Sequence, residues 1–358
     1  MEVGIMGLAG SGKTAVFALL TGQDPGTAGG RRDAAHVGMA KVPDPRLDAL
    51  ATMYQPRKTT PATVRFADVP GIPDEHRGDD SLNLPELRTA DALLVVLRGF
   101  ASDAVPHPKG SIDPLRDLEH IEEEFILQDQ MVVERRLDRV RRDLGKRRDP
   151  ELERERDLLK RCLAVLEQAL PLRAETFDDT EAKKLRGFTF LSLKPMLVVV
   201  NVGEDDLAAN PFSGAGWTDW ASRPGLAFTR VCATIEAELA ELDGDDATAF
   251  MADLGVTDRA VDRIIGESYR LLGLISFFTV GDDECRAWSI LDGTQALDAA
   301  GAIHSDIQRG FIRAEVVPYA ELLDAGSLAV CRQRGTLRLE GKTYRVVDGD
   351  IVHFRFNV

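Results

Sequence analysis

The sequence predicts an α/β domain that is interrupted by a helical hairpin and followed by a small domain of mixed β structure. Largely apolar runs at residues 92–97 and 194–200 are typical of strands buried on both faces of a parallel sheet. Between them, residues 114–170 repeat charged and aliphatic side chains at helical spacing, which predicts two antiparallel helices. After residue 275, short alternating segments predict strands. The expected domain bounds are 1–112 with 186–274, 113–185 for the hairpin, and 275–358.

The remaining elements follow from local patterns, in chain order. Alternating residues at 37–41 and 63–68 predict strands, and Pro45 is expected to open a short helix that runs to residue 53. Residues 250–274 are expected to form a helix that closes the first domain. In the last domain we expect strands at 276–280, 287–290, 343–347 and 352–356 and a helix at 297–303.

The first fourteen residues contain the motif around which the chain is organised. A short apolar strand, residues 2–6, runs into Gly7-Leu8-Ala9-Gly10-Ser11-Gly12-Lys13-Thr14, which matches G-x-x-x-x-G-K-[ST], and residues 15–20 are good helix formers. In this pattern backbone amides cradle phosphate oxygens, the lysine charge meets the β- and γ-phosphates, and the threonine hydroxyl binds Mg²⁺. The motif predicts a nucleotide site whose candidate residues are Gly10, Ser11, Gly12, Lys13, Thr14 and Ala15.

A second motif, Asp68-Val69-Pro70-Gly71, follows the strand predicted at 63–68. A carboxylate at a strand end beside a phosphate loop can hold Mg²⁺ through water, while the Gly71 amide senses the γ-phosphate. The alternative is an ordinary turn at the end of a strand. The glycine-rich stretch 22–32 is expected to be a mobile loop at the place of a nucleotide-sensing switch.

Composition limits the class of protein. With 44% hydrophobic and 29% charged residues, no signal peptide and no run of about 18 apolar residues, the sequence is typical of a soluble, cytoplasmic protein without a membrane span. Four scattered cysteines, Cys162, Cys232, Cys285 and Cys331, are expected to be buried thiols. The net charge of −15 argues against bulk coating of nucleic acid.

The bend of the predicted hairpin is strongly basic in an acidic chain. Residues 135–148 contain eight basic side chains against Asp138 and Asp143. One interpretation is a contact with a phosphate backbone, of RNA in particular. The other is a solvated helix face with local ion pairs. The candidate contacts are Arg135, Arg136, Arg139, Arg142, Lys146, Arg147 and Arg148, with Arg141 beside them.

Over almost its whole length the chain resembles the YchF subfamily of Obg-like phosphate-loop ATPases and GTPases of the TRAFAC class. The most specific stretch is the terminal block 348–358, D-G-D-I-V-H-F-R-F-N-V. The other carrying stretches are 7–14, 42–48, 60–64, 68–71, 201–204, 235–239, 286–288, 301–306 and 309–315. The resemblance implies a Ras-like P-loop NTPase domain with an inserted α-helical hairpin (a coiled coil), followed by a TGS domain with a ubiquitin-like β-grasp fold.

The resemblance also bears on which base is bound. GTPases of this class read guanine with N-K-x-D, whereas this chain has Asn201-Val202-Gly203-Glu204. The lysine is replaced by Val202, and the Glu204 carboxylate is one methylene longer than the aspartate that accepts from guanine. In the family this variant goes with ATP, so we expect ATP to be preferred without exclusion of GTP. Ala233 is the further residue expected at the nucleotide.

Several positions bear on hydrolysis. The glutamine that orients water in Ras-type proteins is Ile72 here, and the family resemblance points to His107 as the compensating group, with Lys13 as the other catalytic residue. An ordinary loop histidine is the alternative. The family's switch threonine is absent: Arg32 lies near its place and Thr27 is the nearest upstream hydroxyl. The family's Pro and Asn in the phosphate loop are Ala9 and Gly10.

The sequence is compatible with two main functions. The first is a slow, Mg²⁺-dependent ATPase that acts as a switch in translation. For it the family implies contact with the ribosome, either the large subunit or the 70S particle. The contacts would be rRNA at the hairpin tip and a protein partner at the TGS domain. The second is a nucleotide-gated RNA- or protein-binding scaffold with little hydrolysis. A true GTPase is disfavoured by Val202 and Glu204, and a monomer is expected.

Overall fold

The apolar runs at 92–97 and 194–200 form neighbouring parallel strands in the computed structural model of the protein, with Val95 opposite Val198. The structure describes residues 1–23, 36–69, 85–146, 148–207 and 209–357. Several residues named above lie outside these ranges, namely Thr27, Arg32, Gly71, Ile72 and Arg147.

Helices and strands alternate along the chain. In the described residues the strands are β1 (Glu2–Met6), β2 (His36–Lys41), β3 (Lys58–Thr60), β4 (Thr63–Asp68), β5 (Ala92–Gly99), β6 (Met196–Val202), β7 (Leu226–Val231), β8 (Leu274–Thr279), β9 (Glu284–Leu291), β10 (Phe311–Pro318), β11 (Arg338–Glu340) and β12 (Asp350–Phe356). The helices are α1 (Lys13–Thr21), α2 (Pro45–Tyr54), α3 (Pro85–Thr89), α4 (Pro114–Leu144), α5 (Pro150–Leu166), α6 (Asp179–Leu185), α7 (Ala215–Ala221), α8 (Ala233–Glu241), α9 (Gly244–Asp253), α10 (Ala260–Leu271), α11 (Ala296–Ile303), α12 (Ser305–Arg309), α13 (Tyr319–Ala325) and α14 (Leu328–Arg334).

The first sheet has the strand order β2-β4-β1-β5-β6-β7 in the described part of the chain. Strand β1 pairs in parallel with β4 and β5, and β6 pairs in parallel with β5 and β7. Every residue of β6 and all but the last of β5 are buried, as expected for central strands of a parallel sheet. The carboxyl ends of β1, β4, β5 and β6 therefore meet at one edge, where a ligand of such a sheet binds.

The long insertion after β5 is the predicted pair of helices. Asp113 caps α4 and Asp149 caps α5, and each helix opens with a proline, the residue favoured at a first helical position. Their apolar faces share one core that includes Val133 and Leu137 of α4 and Leu159 of α5. Packing of an amphipathic stripe, rather than helix propensity alone, holds such a hairpin together.

The last part of the chain forms a second sheet, with the order β11-β10-β12-β8-β9-β3 among the described strands. Its core contains Phe277, Phe311 and Phe354. The strand predicted at 343–347 is wrong: this segment makes one isolated bridge, between Arg345 and Gln295, and otherwise forms a loop. The loop is held by Asp350, whose carboxylate accepts from the Val347 amide and the Tyr344 hydroxyl.

The single helix predicted at 250–274 is also wrong. The structure has two helices here, α9 and α10, and β8 begins at Leu274. Gly255 lies between the two helices with a φ of +67°, in the left-handed region that favours glycine and ends helices.

By internal contacts the chain divides into two compact units. One comprises Met1–Gly38 and Arg65–Ile264, and the other comprises Met39–Val64 and Ile265–Val358. The sequence bounds placed residues 39–64 in the first domain, whereas here β3 pairs with β9 and Cys285 Sγ lies 3.9 Å from the Leu50 carbonyl oxygen. The three predicted domain ranges stay a prediction. All four cysteines are buried and free, as predicted.

None of the helices in the described residues combines the length and the apolar character needed to cross a bilayer.

Candidate functional site

The phosphate-loop sequence forms a tight turn between β1 and α1. Gly10 and Gly12 have φ values of +74° and +89°, and Gly12 is the N-cap of α1. A side chain at Gly7 would place its Cβ 2.3 Å from the Val96 carbonyl oxygen, so the backbone approaches β5 too closely for any other residue. The glycines are therefore required by geometry, and the loop ends at the amino terminus of a helix, where anions bind.

Asn201, at the carboxyl end of β6, joins the phosphate loop to α8. Its Nδ2 donates to the Ser11 carbonyl oxygen at 3.2 Å, and its Oδ1 accepts from the Ala233 amide at 3.2 Å. The side chain is buried, so both hydrogen bonds are shielded from water. Asn201 thus connects three segments that were each predicted to contact the nucleotide: the phosphate loop, the end of β6 and the start of α8.

Lys13, Thr14 and Asp68 lie together at the end of β4. Burial lowers the pKa of Lys13, against the opposing charge of Asp68. Burial also raises the pKa of Asp68. A hydrogen bond with Thr14 and the positive charge of Lys13 act in the opposite direction and lower this pKa. Asp68 Oδ1 and Ser11 Oγ are buried without a hydrogen-bond partner in the described structure. The partly desolvated ammonium group of Lys13 is suited to bind a phosphate group, and the carboxylate oxygen of Asp68 that accepts no hydrogen bond is suited to bind Mg²⁺.

A cavity of about 510 Å³ lies beside the loop, on the side of β6 and α8. Val202 is buried beneath it, whereas Glu204 is exposed at its rim with Asp205 and Asp206. The residues that line the cavity are Gly12, Ala15, Phe100, Ala101, Asn201, Val202, Gly203, Glu204, Asp205, Asp206, Ala233 and Thr234. The structure therefore brings together most of the predicted nucleotide residues, and their contacts with a nucleotide stay a prediction. Gly71 lies outside the described residues.

His107 lies in the loop before α4, with its side chain buried. Its Nε2 lies 3.0 Å from Asp117 Oδ2, and its Nδ1 accepts from the Lys109 amide at 3.1 Å. Arg116 also donates to the Asp117 carboxylate. Because both ring nitrogens are engaged, this conformation presents neither of them to a water molecule. The arrangement favours the alternative interpretation of a structural histidine, and the catalytic role stays a prediction.

Sequence reasoning missed Arg98, at the end of β5. Its side chain is buried, and its guanidinium group donates to the Phe100 and Val105 carbonyl oxygens and lies 4.8 Å from the Phe100 ring centre. One signal was available: a single arginine follows an apolar run whose other residues are core formers.

The basic hairpin tip is largely paired with local acids. Arg136 forms two hydrogen bonds with Glu155, at 2.6 and 2.9 Å, and Arg142 Nε donates to the Asp138 carbonyl oxygen. Further ion pairs join Arg141 to Asp138, Lys146 to Asp143, and Arg148 to Glu153. Such pairs favour the solvated-face interpretation for these residues. Arg135 and Arg139 are exposed on α4, and Arg147 lies outside the described residues. An RNA contact stays a prediction.

Comparison with known proteins agrees with this architecture. A family model for the C-terminal domain of YchF GTPases, described as a protein of unknown function (DUF933), matches residues 274–357. The chain is 38% identical to the ribosome-binding ATPase YchF of Bacillus subtilis, over 100% of both chains. It is 33% identical to Obg-like ATPase 1 of Caenorhabditis elegans, over 100% of this chain and 92% of that protein.

The solved structure of the Schizosaccharomyces pombe YchF GTPase superposes with a TM-score of 0.86 at 27% identity, covering 99% of this chain and 97% of that chain. The likeness confirms the predicted α/β fold with a helical insertion, and the family match confirms the C-terminal domain. The resemblance predicted from sequence holds over the full length: the chain belongs to the YchF family.

Proposed function

We propose that this protein is a slow, Mg²⁺-dependent ATPase that works as a nucleotide-controlled switch on the ribosome. The observation that carries the proposal is the Asn201 side chain, which ties the phosphate loop at Ser11 to the edge of the neighbouring cavity at Ala233. A phosphate cradle and a base-sized cavity held by one residue are suited to a nucleoside triphosphate.

The phosphate end of the nucleotide would be held by the amides of Gly10 to Ala15 and by the Lys13 ammonium. Thr14 and Asp68 would hold Mg²⁺, which when bound neutralises charge that develops on the phosphates. Lys13 is already partly desolvated, so its attraction to an anion is stronger than that of a lysine in water.

The base end supports a preference for ATP. Val202 is buried in the core below the cavity and leaves no lysine to pack along the base. Glu204 is exposed at the rim, and its longer side chain does not reproduce the aspartate that accepts from guanine. GTP would bind less tightly, without being excluded.

The slow rate is supported by the groups that face the reaction. The residue after Gly71 is the apolar Ile72, which cannot orient water. His107 would serve as the water-polarising group after leaving Asp117, and the energy needed for that exchange would slow each turnover.

The ribosome enters the proposal from relatives. The proteins of Bacillus subtilis and Escherichia coli O157:H7 are named ribosome-binding ATPases, at 38% and 36% identity over the whole chain. On this chain the exposed Arg139 and its basic neighbours would meet rRNA, and the C-terminal unit would meet a ribosomal protein. The protein would act in the cytoplasm, as a monomer.

The test is calorimetry with ATP, ADP, GTP and GDP in the presence of Mg²⁺, together with single-turnover hydrolysis. Lys13→Ala is the negative variant, and Lys109→Ala, which alters an exposed lysine of the loop before α4, is its matched control. Tighter binding of ATP than GTP with slow cleavage supports the proposal. Tighter binding of GTP contradicts the base preference, and no binding at all contradicts the proposal as a whole.

A second function, a nucleotide-gated scaffold that hardly hydrolyses ATP, is favoured by one observation. His107 is held in a buried contact with Asp117, away from solvent. Under this alternative ATP binds, ribosomes co-sediment with the protein in a nucleotide-dependent manner, and single-turnover cleavage is undetectable.

A further inference from the structure

Two neighbouring residues near the carboxyl ends of β5 and β6 lie beside the phosphate loop. Arg98 and Asn201 are direct partners in the parallel pairing of β5 with β6. Asn201 donates to the Ser11 carbonyl oxygen. A side chain at Gly10 would place its Cβ 3.4 Å from Arg98 Nη1 and 2.9 Å from Val105 Cγ1. Arg98 therefore adjoins the loop one residue before the point that Asn201 fixes.

The guanidinium group also organises the loop that follows β5. Arg98 Nε donates to the Phe100 carbonyl oxygen at 3.1 Å, and Nη2 donates to the Val105 carbonyl oxygen at 2.7 Å. The same group lies over the Phe100 ring, and Phe100 lines the cavity beside the phosphate loop. The planar fork of arginine makes this set of contacts, and the point charge of a lysine cannot reproduce it.

One donor of Arg98 is left over. Nη1 is buried and has no hydrogen-bond partner in the part of the chain that the structure describes. A buried charged donor without an acceptor is costly, so each such group needs an explanation, either a bound water or ion or a role in catalysis. Here the unsatisfied donor is on the side of the group that faces Gly10.

We infer that Arg98 is a positioning residue for the proposed ATPase reaction, on which this inference rests. Its fork sets Gly10 and Phe100 relative to each other, and its Nη1, which has no acceptor among the described residues, places positive charge against the phosphate loop. The same side chain fixes the start of the segment that carries His107. If Arg98 served folding alone, its substitution would lower the stability of the protein and its affinity for nucleotide together. Substitution of a positioning residue instead lowers the rate at saturating ATP more than it changes the affinity.

The test compares Arg98→Lys with Arg65→Lys, which lies in the same sheet but is half-exposed and pairs with Glu2. We measure single-turnover hydrolysis at saturating ATP, the Kd of ADP, and the thermal midpoint. Arg98→Lys is expected to slow hydrolysis about tenfold or more, with the Kd of ADP changed less than about threefold. Arg65→Lys is expected to change both by less than about twofold. A wild-type rate in Arg98→Lys overturns the inference, as does a loss of affinity that parallels a loss of thermal stability.

Two additions keep the inference testable under other outcomes. If Arg98→Lys does not fold, Phe100→Leu removes the ring below the guanidinium group and is expected to slow hydrolysis at saturation about threefold, with an unchanged rate counting against the inference. If the wild type binds nucleotide without cleaving it, the hydrolysis step of the proposed function is refuted, but nucleotide binding and the positioning role of Arg98 can still be tested. The readout is then hydrogen exchange of the amides of residues 99–105 and 107, which ADP should slow in the wild type but not in Arg98→Lys. A wild type that binds no nucleotide refutes both proposals.

Discussion

His107 Nε2 and Asp117 Oδ2 lie 3.0 Å apart, with both side chains almost fully buried at the start of α4. If His107 must leave this contact to reach water, a weaker acceptor should speed the reaction. A hydrogen bond to a neutral amide is weaker than one to a carboxylate by about 1 kcal/mol. We expect Asp117→Asn to raise the single-turnover rate about threefold to fivefold.

The control for this prediction is the double variant with His107→Ala, which should lose the gain. An unchanged or lower rate in a folded Asp117→Asn protein would mean that His107 is structural.

Gly12 should tolerate no side chain. Its φ is +89°, and an added Cβ would lie 2.3 Å from Asn201 Nδ2, which holds Ser11. Gly12→Ala is expected to weaken ADP binding at least about tenfold, because it breaks a buried hydrogen bond and strains the backbone at about 1 kcal/mol or more each. Isothermal titration calorimetry measures the Kd of ADP for this variant and its control. Gly22→Ala is the matched control, since Gly22 also has a positive φ but an added Cβ there would meet no atom of the described residues within 4 Å. Equal losses in the two variants would contradict the argument.

Asp129 should make stability depend on pH. Burial raises its pKa to about 6, against hydrogen bonds from Leu191 and Ser192 that lower it. Because the pKa of Asp129 is higher in the folded than in the unfolded chain, the folded chain binds this proton more tightly. The stability that the protonated group contributes is therefore lost as pH rises from about 4 to about 6. The free energy of unfolding of Asp129→Asn, relative to that of the wild type, should therefore rise by about 2 kcal/mol between pH 4 and pH 7.5.

Urea unfolding at the two pH values measures the Asp129 effect. Asp138→Asn, an exposed carboxyl on the same helix, is the control and should show no comparable gain. A constant difference between Asp129→Asn and wild type across this range would contradict the assignment.

Ribosome binding should depend on charge at the hairpin tip. Replacing Arg139 and Arg142 with glutamate is expected to weaken co-sedimentation with ribosomes and to reduce the slope of log affinity against log salt by roughly 1 to 2. Arg154→Glu together with Arg156→Glu, on the facing helix α5, supplies the matched charge change at arginines outside the predicted contacts. Equal losses in both double variants would indicate a general charge effect rather than a contact made by Arg139 and Arg142.

The parts of the fold that sequence predicted are those with local causes. The turn from Gly7 to Thr14 needs glycines at fixed places, and the apolar runs of β5 and β6 allow burial on both faces. The segment 343–347 alternates like a strand, yet Asp350 captures the Val347 amide, a tertiary contact that no period reports. β10 was missed because its charged residues hide the pattern of a central strand.

The site divides in the same way. Lys13, Thr14 and Asp68 were predicted because their motifs state their chemistry. Arg98 was missed because its proposed role depends on the carbonyl oxygens of a folded loop. An arginine that follows an apolar run signals a buried charge, but it does not show which oxygens accept its hydrogen bonds.

The pairing of β3 with β9 has a consequence for how the chain is made. The C-terminal unit needs Met39–Val64, which emerges early in synthesis, and Ile265–Val358, which emerges last. All of Arg65–Ile264 is translated in between, an interval on the order of 10 to 40 s at ordinary elongation rates. Until then Lys58–Thr60 has no strand partner within its own unit. A fragment that begins at residue 275 would lack this strand permanently, so this unit is completed only after residues 265–358 have been added to a chain that already carries residues 39–64.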